Sequence, residues 1–211
     1  MRLLAFALAL LLQAQDKWEK DIAAFEAKDK ESAPPQGGIV FVGSSTIRMW
    51  KVKESFPDLP VINRGFGGSE IADSVKYADR IVLPHKPRLV LLFAGGNDIN
   101  AGKDPEAVFG DYKAFVKKVH DALPKTKVLY LSLYPNVARA AQVEKTTKLN
   151  ALIEAHAKTD ERLGYIDIAS KMRSAEGKPR PELLLKDGLH MNPDGYALVS
   201  GIVKPFLAPA K

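Results

Sequence analysis

The sequence has no cysteine among its 211 residues. That absence removes disulfides, thiolate metal sites, a cysteine nucleophile and a lipid-anchored N-terminal cysteine. Covalent catalysis in this chain must therefore use an oxygen or nitrogen nucleophile. A strong charge of one sign is also missing, since 31 basic and 25 acidic residues leave a formal net charge of +6. The basic residues are scattered: Lys117-Lys118 and the pair Lys145 and Lys148 alternate with apolar or uncharged neighbours, as on solvated helix faces. A nucleic-acid groove shows a basic stripe with interleaved aromatics, so no nucleic-acid partner is expected.

Long apolar runs are scarce as well. One stands out, Leu3 to Leu12, placed after Met1-Arg2 and before Gln13-Ala14-Gln15-Asp16. Ten helical residues rise about 15 Å, half of a bilayer core of about 30 Å. One positive charge, a short apolar run and small or polar residues after it describe a signal peptide over residues 1–15, cleaved near Ala14 or Gln15. Cleavage removes one arginine and no acid, lowering the net charge of +6 by one. The expectation is export to the periplasm or medium, without stable membrane insertion.

The remainder alternates strand and helix patterns. Trp18, Ile22 and Phe25 lie at helical spacing within Asp16 to Lys28, and Ser32 to Gly38 is a Pro/Gly linker. Residues 16–37 thus form a lead-in helix and linker, and 38–211 one domain. Buried strands are expected at Ile39–Val42, Val61–Ile62, Leu89–Phe93, Val128–Leu133 and Tyr165–Ile168. Helices are expected at Ile71–Val82, Pro105–Leu123 and Val143–Lys158, with a last one capped by Asn192 and opened by Pro193. This alternation gives an α/β fold with a five-stranded parallel sheet covered on both faces. Ligands of such sheets gather beyond the carboxyl ends of the strands.

Those ends carry Gly43-Ser44-Ser45-Thr46, then Asn63-Arg64-Gly65-Phe66-Gly67-Gly68, then Gly95-Gly96-Asn97-Asp98, with Asp187-Gly188-Leu189-His190 before the last helix. Two nucleotide motifs fail among them. Glu70 stands where a dinucleotide fingerprint starting at Gly65 needs its third glycine, and a phosphate loop from Gly96 to Lys103 is one residue too long. Asp104 also replaces the Ser or Thr that such a loop places on magnesium. What survives is acyl transfer. A serine hydroxyl needs an adjacent base, histidine suits that role near neutral pH, and Asp187 lies three residues from His190 to orient it. Charge developing on the carbonyl needs donors, which the Ser45 and Gly68 N–H groups and the Asn97 amide can supply.

These four blocks, in order, resemble the SGNH hydrolases, also called the GDSL esterase/lipase family. The likeness runs from about Gly38 to Leu207. It implies a three-layer α/β/α sandwich of flavodoxin-like strand order, with Ser45 as nucleophile, His190 as base, Asp187 as its orienter, and an oxyanion hole of Ser45, Gly68 and Asn97. Where the family usually has Gly-Asp-Ser this chain has Ser44, as in a Gly-Ser-Ser branch of bacterial esterases. Ser44 is therefore the alternative nucleophile, and spacing from Gly43 favours Ser45.

Plainer roles exist for three of the blocks. Ser45 can act only as a helix N-cap, Asn97-Asp98 as a turn, and Asp187 to His190 as a surface turn. Arg48, Arg64 and Arg139 fall beyond strand ends, and Arg64 and Arg139 are candidates for substrate contact. Trp50 is read as a packing residue before a sugar platform, and it stays a candidate for the latter because it shares the nucleophile's helix. His85, His120 and His156 have no ligand pattern around them, so neither a metal nor another cofactor is expected. The reading is a serine esterase acting on short acyl groups, with acetyl on carbohydrate as the favoured substrate. Its rivals are a lysophospholipase or thioesterase for longer chains, and a catalytically inert binding domain. Sequence leaves the oligomeric state open.

Overall fold

A computed structural model describes residues 16–208, and the expected signal peptide, 1–15, lies outside them. Five strands, β1 (Ile39–Gly43), β2 (Val61–Gly65), β3 (Leu89–Phe93), β4 (Lys127–Leu131) and β5 (Leu163–Ile166), form one parallel sheet of order 2-1-3-4-5. This is the flavodoxin-like order. Every residue of β1 and β3 is buried, as parallel strands covered on both faces require.

The helices are α1 (Glu19–Glu31), α2 (Ser45–Met49), α3 (Val52–Ser55), α4 (Ile71–Ile81), α5 (Gly96–Asn100), α6 (Pro105–Ala122), α7 (Val143–Ala157) and α8 (Pro193–Val203). On one face α4, α6 and α7 lie side by side and α1 packs on α4. In α6 the spacing of Val108, Tyr112, Phe115 and Val119 turns one apolar stripe onto the sheet. On the other face Trp50, at the end of α2, packs against Phe41 of β1 and Tyr196 of α8. Asn192 caps α8 as expected, its side chain accepting from the Gly195 N–H at 3.0 Å ahead of Pro193.

Several element ends differ from the sequence reading. β5 stops at Ile166 rather than Ile168, because the N–H groups of Ile168 and Ala169 turn to Ser132 Oγ at 2.9 and 3.0 Å. β2 runs three residues past Ile62, through Asn63, Arg64 and Gly65, whose polarity hid them. The residues before the expected domain start are built into it: Ile22 of α1 is fully buried, and Arg80 of α4 forks onto Glu19 and Glu26 at 2.7–2.8 Å.

Candidate active site

The carboxyl end of β1 turns directly into α2. Gly43 has φ +141°, and a Cβ there would run into the Phe93 carbonyl of β3, so glycine alone fits this junction. The Ser44 N–H then donates to that carbonyl at 3.1 Å. Ser44 occupies the N-cap position of α2 and is buried, whereas Ser45 is the first helical residue and half-buried. The plain N-cap reading of Ser45 is therefore not met. Asn63 of β2 anchors the other end of this short helix: its Nδ2 donates to Ile47 O and Trp50 O at 2.5 and 2.9 Å, and its Oδ1 accepts from Gly65 N.

His190 Nε2 lies 2.8 Å from Ser45 Oγ, across 145 residues of sequence. Its Nδ1 lies 2.6 Å from Asp187 Oδ2. The other carboxylate oxygen of Asp187 accepts the N–H groups of Leu189 and His190 at 2.9 and 3.0 Å. The histidine and these two N–H groups hold the Asp187 carboxyl at about 2, below the ordinary aspartate value. With Nδ1 hydrogen-bonded to a carboxylate, the proton sits on that nitrogen and Nε2 is free to accept from the serine. The turn is tied down by Leu185 N–H to His190 O at 2.7 Å and by Tyr134 Oη–H to Leu189 O at 3.1 Å.

Asn97 sits at the start of α5. One N–H of its amide donates to Ser69 O at 2.9 Å, and its Oδ1 accepts from Arg139 Nη2 at 3.0 Å. Arg139 Nη1 also donates to Gly96 O at 3.0 Å, so the guanidinium fork clamps the residue pair. Burial draws the Arg139 pKa below the ordinary arginine value. The segment carrying it is joined to the histidine turn by Ala138 N–H to Gly188 O at 3.0 Å. Neighbouring Asp98 is fully buried and accepts the Ile71 N–H at 3.2–3.3 Å with both oxygens, bracing α4. Burial pushes its carboxyl up to about 6, against the pull of Lys103. Gly68, at φ +78°, lies in the turn after β2, and its N–H donates to no protein group among the described residues.

A cavity of about 50 Å³ is lined by Ser45, His190, Asn97, Arg139, Tyr134 and Thr146 among others, and Gly68 and Asp187 are not among its lining residues. Sequence reasoning missed Tyr134 and Asn136 in the loop after β4, because a loop has no periodicity to betray it, and Thr146, because the pattern that marks α7 does not tell which of its residues face the cavity. Arg64 corrects the reading in the other direction. Although it stands at the end of β2, its guanidinium is buried against Asp29 at 2.5–2.6 Å and within 3.2 Å of His85 Nε2, under α1 and away from the cavity. Arg48 is exposed and lies beside Gly67. Trp50 is a packing residue, its indole N–H reaching Ser55 and Ser200. His156 stacks edge-on against Phe109 and Tyr112 at the core rim, as its helical stripe suggested.

The sequence profile of the GDSL-like lipase/acylhydrolase family matches residues 46–198. No curated protein matches the chain in sequence. Among solved structures the fold is similar to a GDSL-like lipase from Bacteroides thetaiotaomicron, at 23% identity and a TM-score of 0.76, covering 89% of this chain and 97% of that one. It is similar also to an acetylxylan esterase from Geobacillus stearothermophilus, solved as a catalytic mutant (13% identity, TM-score 0.68, 83% and 96% covered). A third is a carbohydrate esterase family 3 protein from Talaromyces cellulolyticus (19% identity, TM-score 0.64, 80% and 95% covered). At these identities the structural likeness speaks to the fold, while the profile spans most of the chain. The chain therefore belongs to the GDSL-like lipase/acylhydrolase family and is a carboxylic ester hydrolase.

Proposed function

We propose that the protein is a serine esterase that removes short acyl groups, acetyl above all, from carbohydrate. Ser45 Oγ attacks the ester carbonyl while His190 Nε2 takes its proton; the imidazolium then protonates the departing alcohol. Water, deprotonated by the same imidazole, releases the acyl group. Asp187 holds the ring and stabilises its charged form. The N–H groups of Ser45 and Gly68 and the free N–H of Asn97 receive the developing oxyanion. The observation that carries this reading is the unbroken chain Asp187–His190–Ser45 at 2.6 and 2.8 Å.

Short acyl groups are favoured by the size of the cavity, about 50 Å³, room for a few waters. An apolar groove does exist nearby, between α2 and α8, lined by Met49, Leu185, Met191 and Tyr196, and a longer acyl chain needs such a surface. It shares no lining residue with the Ser45 cavity, which argues against a continuous acyl channel. Carbohydrate is favoured by the polar rim of Asn136, Arg139, Gln142 and Thr146, and by folds shared with an acetylxylan esterase and a carbohydrate esterase. The same proposal puts the mature enzyme outside the cytoplasm, on the strength of the apolar run Leu3 to Leu12.

Comparing acetyl with decanoyl p-nitrophenyl esters, then acetylated sugars, tests the substrate class. Faster turnover of acetyl is expected; preference for the decanoyl ester overturns the carbohydrate reading. Asn97→Ala is expected to lower kcat by about 10²–10³-fold, the usual cost of one oxyanion donor.

A further inference from the structure

We infer that Trp18 is a positioning residue for this site: its indole N–H fixes the peptide plane that carries the Gly68 N–H. The inference rests on the reading of Gly68 as an oxyanion donor. Trp18 Nε1 donates to Gly67 O at 3.0 Å from a position well before the family-matched residues 46–198.

Gly67 C=O and Gly68 N–H belong to one peptide unit. Phe66 to Ser69 form a β-turn, closed by Ser69 N–H to Phe66 O at 3.4 Å, with the two glycines at its centre. Gly68 has φ +78° and Gly67 has no positive φ, the signature of a type II turn. A type I turn between the same ends has φ of about −90° at the second central residue, which amounts to a half-rotation of the central peptide plane. In a trans peptide the carbonyl and N–H point opposite ways, and the described residues contain no cis bond. Holding Gly67 O therefore aims the Gly68 N–H away from Trp18. A flipped plane presents the N–H to the indole and the carbonyl oxygen to the side where the N–H had been. That carbonyl repels an oxyanion instead of receiving it.

The turn itself does little to choose between the two states. Adjacent glycines resist rotation least of all residues, and the space a Gly68 Cβ would fill is open, its nearest neighbour being Lys17 Nζ at 3.9 Å. Trp18 supplies the choice from outside. It is held for that purpose by edge contact with buried Phe66 (6.0 Å, 76°) and by the Lys17 ammonium 4.4 Å over its ring. Its helix, α1, is clamped to α4 through Arg80, Glu19 and Glu26. The lead-in segment thus has a job in turnover as well as in folding.

Trp18→Phe tests this, because it keeps an aromatic ring on Phe66 and deletes the donor. With p-nitrophenyl acetate, kcat per titrated active serine is expected to fall about two- to tenfold, the effect of losing one neutral hydrogen bond. KM should stay at the parent value, and the thermal midpoint should fall by no more than about 1–6 °C, the stability cost of that one bond in a domain of this size. Affinity for an alkylboronic acid, which forms a tetrahedral adduct on the serine with one oxygen in the oxyanion position, should fall by the same factor. A purely structural role does not move the boronate affinity. Parent-like kcat and boronate affinity in Trp18→Phe overturn the inference alone, provided Asn97→Ala loses turnover; if Asn97→Ala is also unimpaired, the oxyanion-hole reading fails with it.

Discussion

Replacing Arg139 by Ala separates two roles that sequence position could not. At a strand end the residue was a candidate for substrate contact, yet its fork reaches Gly96 O and Asn97 Oδ1, both at 3.0 Å. Holding Oδ1 leaves the Asn97 amide one orientation, with Nδ2 toward Ser69 O and the cavity. Hydrogen bonds to a charged donor contribute about 1.5–3 kcal/mol, so losing this clamp should lower kcat by about 10- to 100-fold. The cost cannot exceed that of losing the amide itself, about 10²–10³-fold. Steady-state kinetics on p-nitrophenyl acetate should show the loss in kcat with KM little changed. In an Asn97→Ala background the Arg139 substitution should have almost no further effect, since coupled residues are strongly non-additive. A raised KM with parent kcat, or fully additive losses in the double variant, refutes the clamp and returns Arg139 to substrate binding. Arg139→Lys should rescue poorly, because an ammonium cannot reproduce the two-pronged geometry.

Three further outcomes follow from the same geometry. Asp187→Asn should cost about 10⁴-fold in kcat with the fold intact, because an amide no longer selects the Nδ1–H tautomer; retained turnover in a steady-state assay contradicts the orienting role. Ser44→Ala should keep most activity while Ser45→Ala loses at least about 10³-fold, and the reverse pattern in the same assay moves the nucleophile by one residue. Asp98, raised to about 6 by burial, binds its proton more tightly when folded than unfolded. Stability should therefore fall as pH rises from about 4 to 6, by at most about 3 kcal/mol. In Asp98→Asn that segment of the urea-denaturation profile should be flat, and an unchanged slope assigns it to another group.

The sheet was the most legible part of the sequence, for a simple reason. β1 and β3 are buried on both faces, so their apolar runs begin and end where the strands do. β2 was only half visible because Asn63 and Arg64 are polar for reasons that lie elsewhere in the chain. Asn63 satisfies the Ile47 and Trp50 carbonyls, and Arg64 pairs with Asp29 of α1. Of the residues to which the strand-end rule pointed, Ser45, Asn97 and Arg139 line the cavity, whereas Arg64 turns away from it to Asp29. The rule fixes a residue's height along the strand and says nothing of the side on which its side chain leaves. Long-range partners were equally hidden. The Trp18–Gly67 hydrogen bond and the Arg139–Asn97 clamp join segments 49 and 42 residues apart, and no local pattern announces such contacts. Short helices of four or five residues, α2, α3 and α5, carry too few turns for a periodic signal.

Labelling with a fluorophosphonate probe, followed by mass-spectrometric mapping of the tagged peptide, tests the central claim most directly. The account predicts a single phosphonylated residue, Ser45, formed in the parent and lost on His190→Ala. A tag on Ser44, or no tag on well-folded protein, contradicts it.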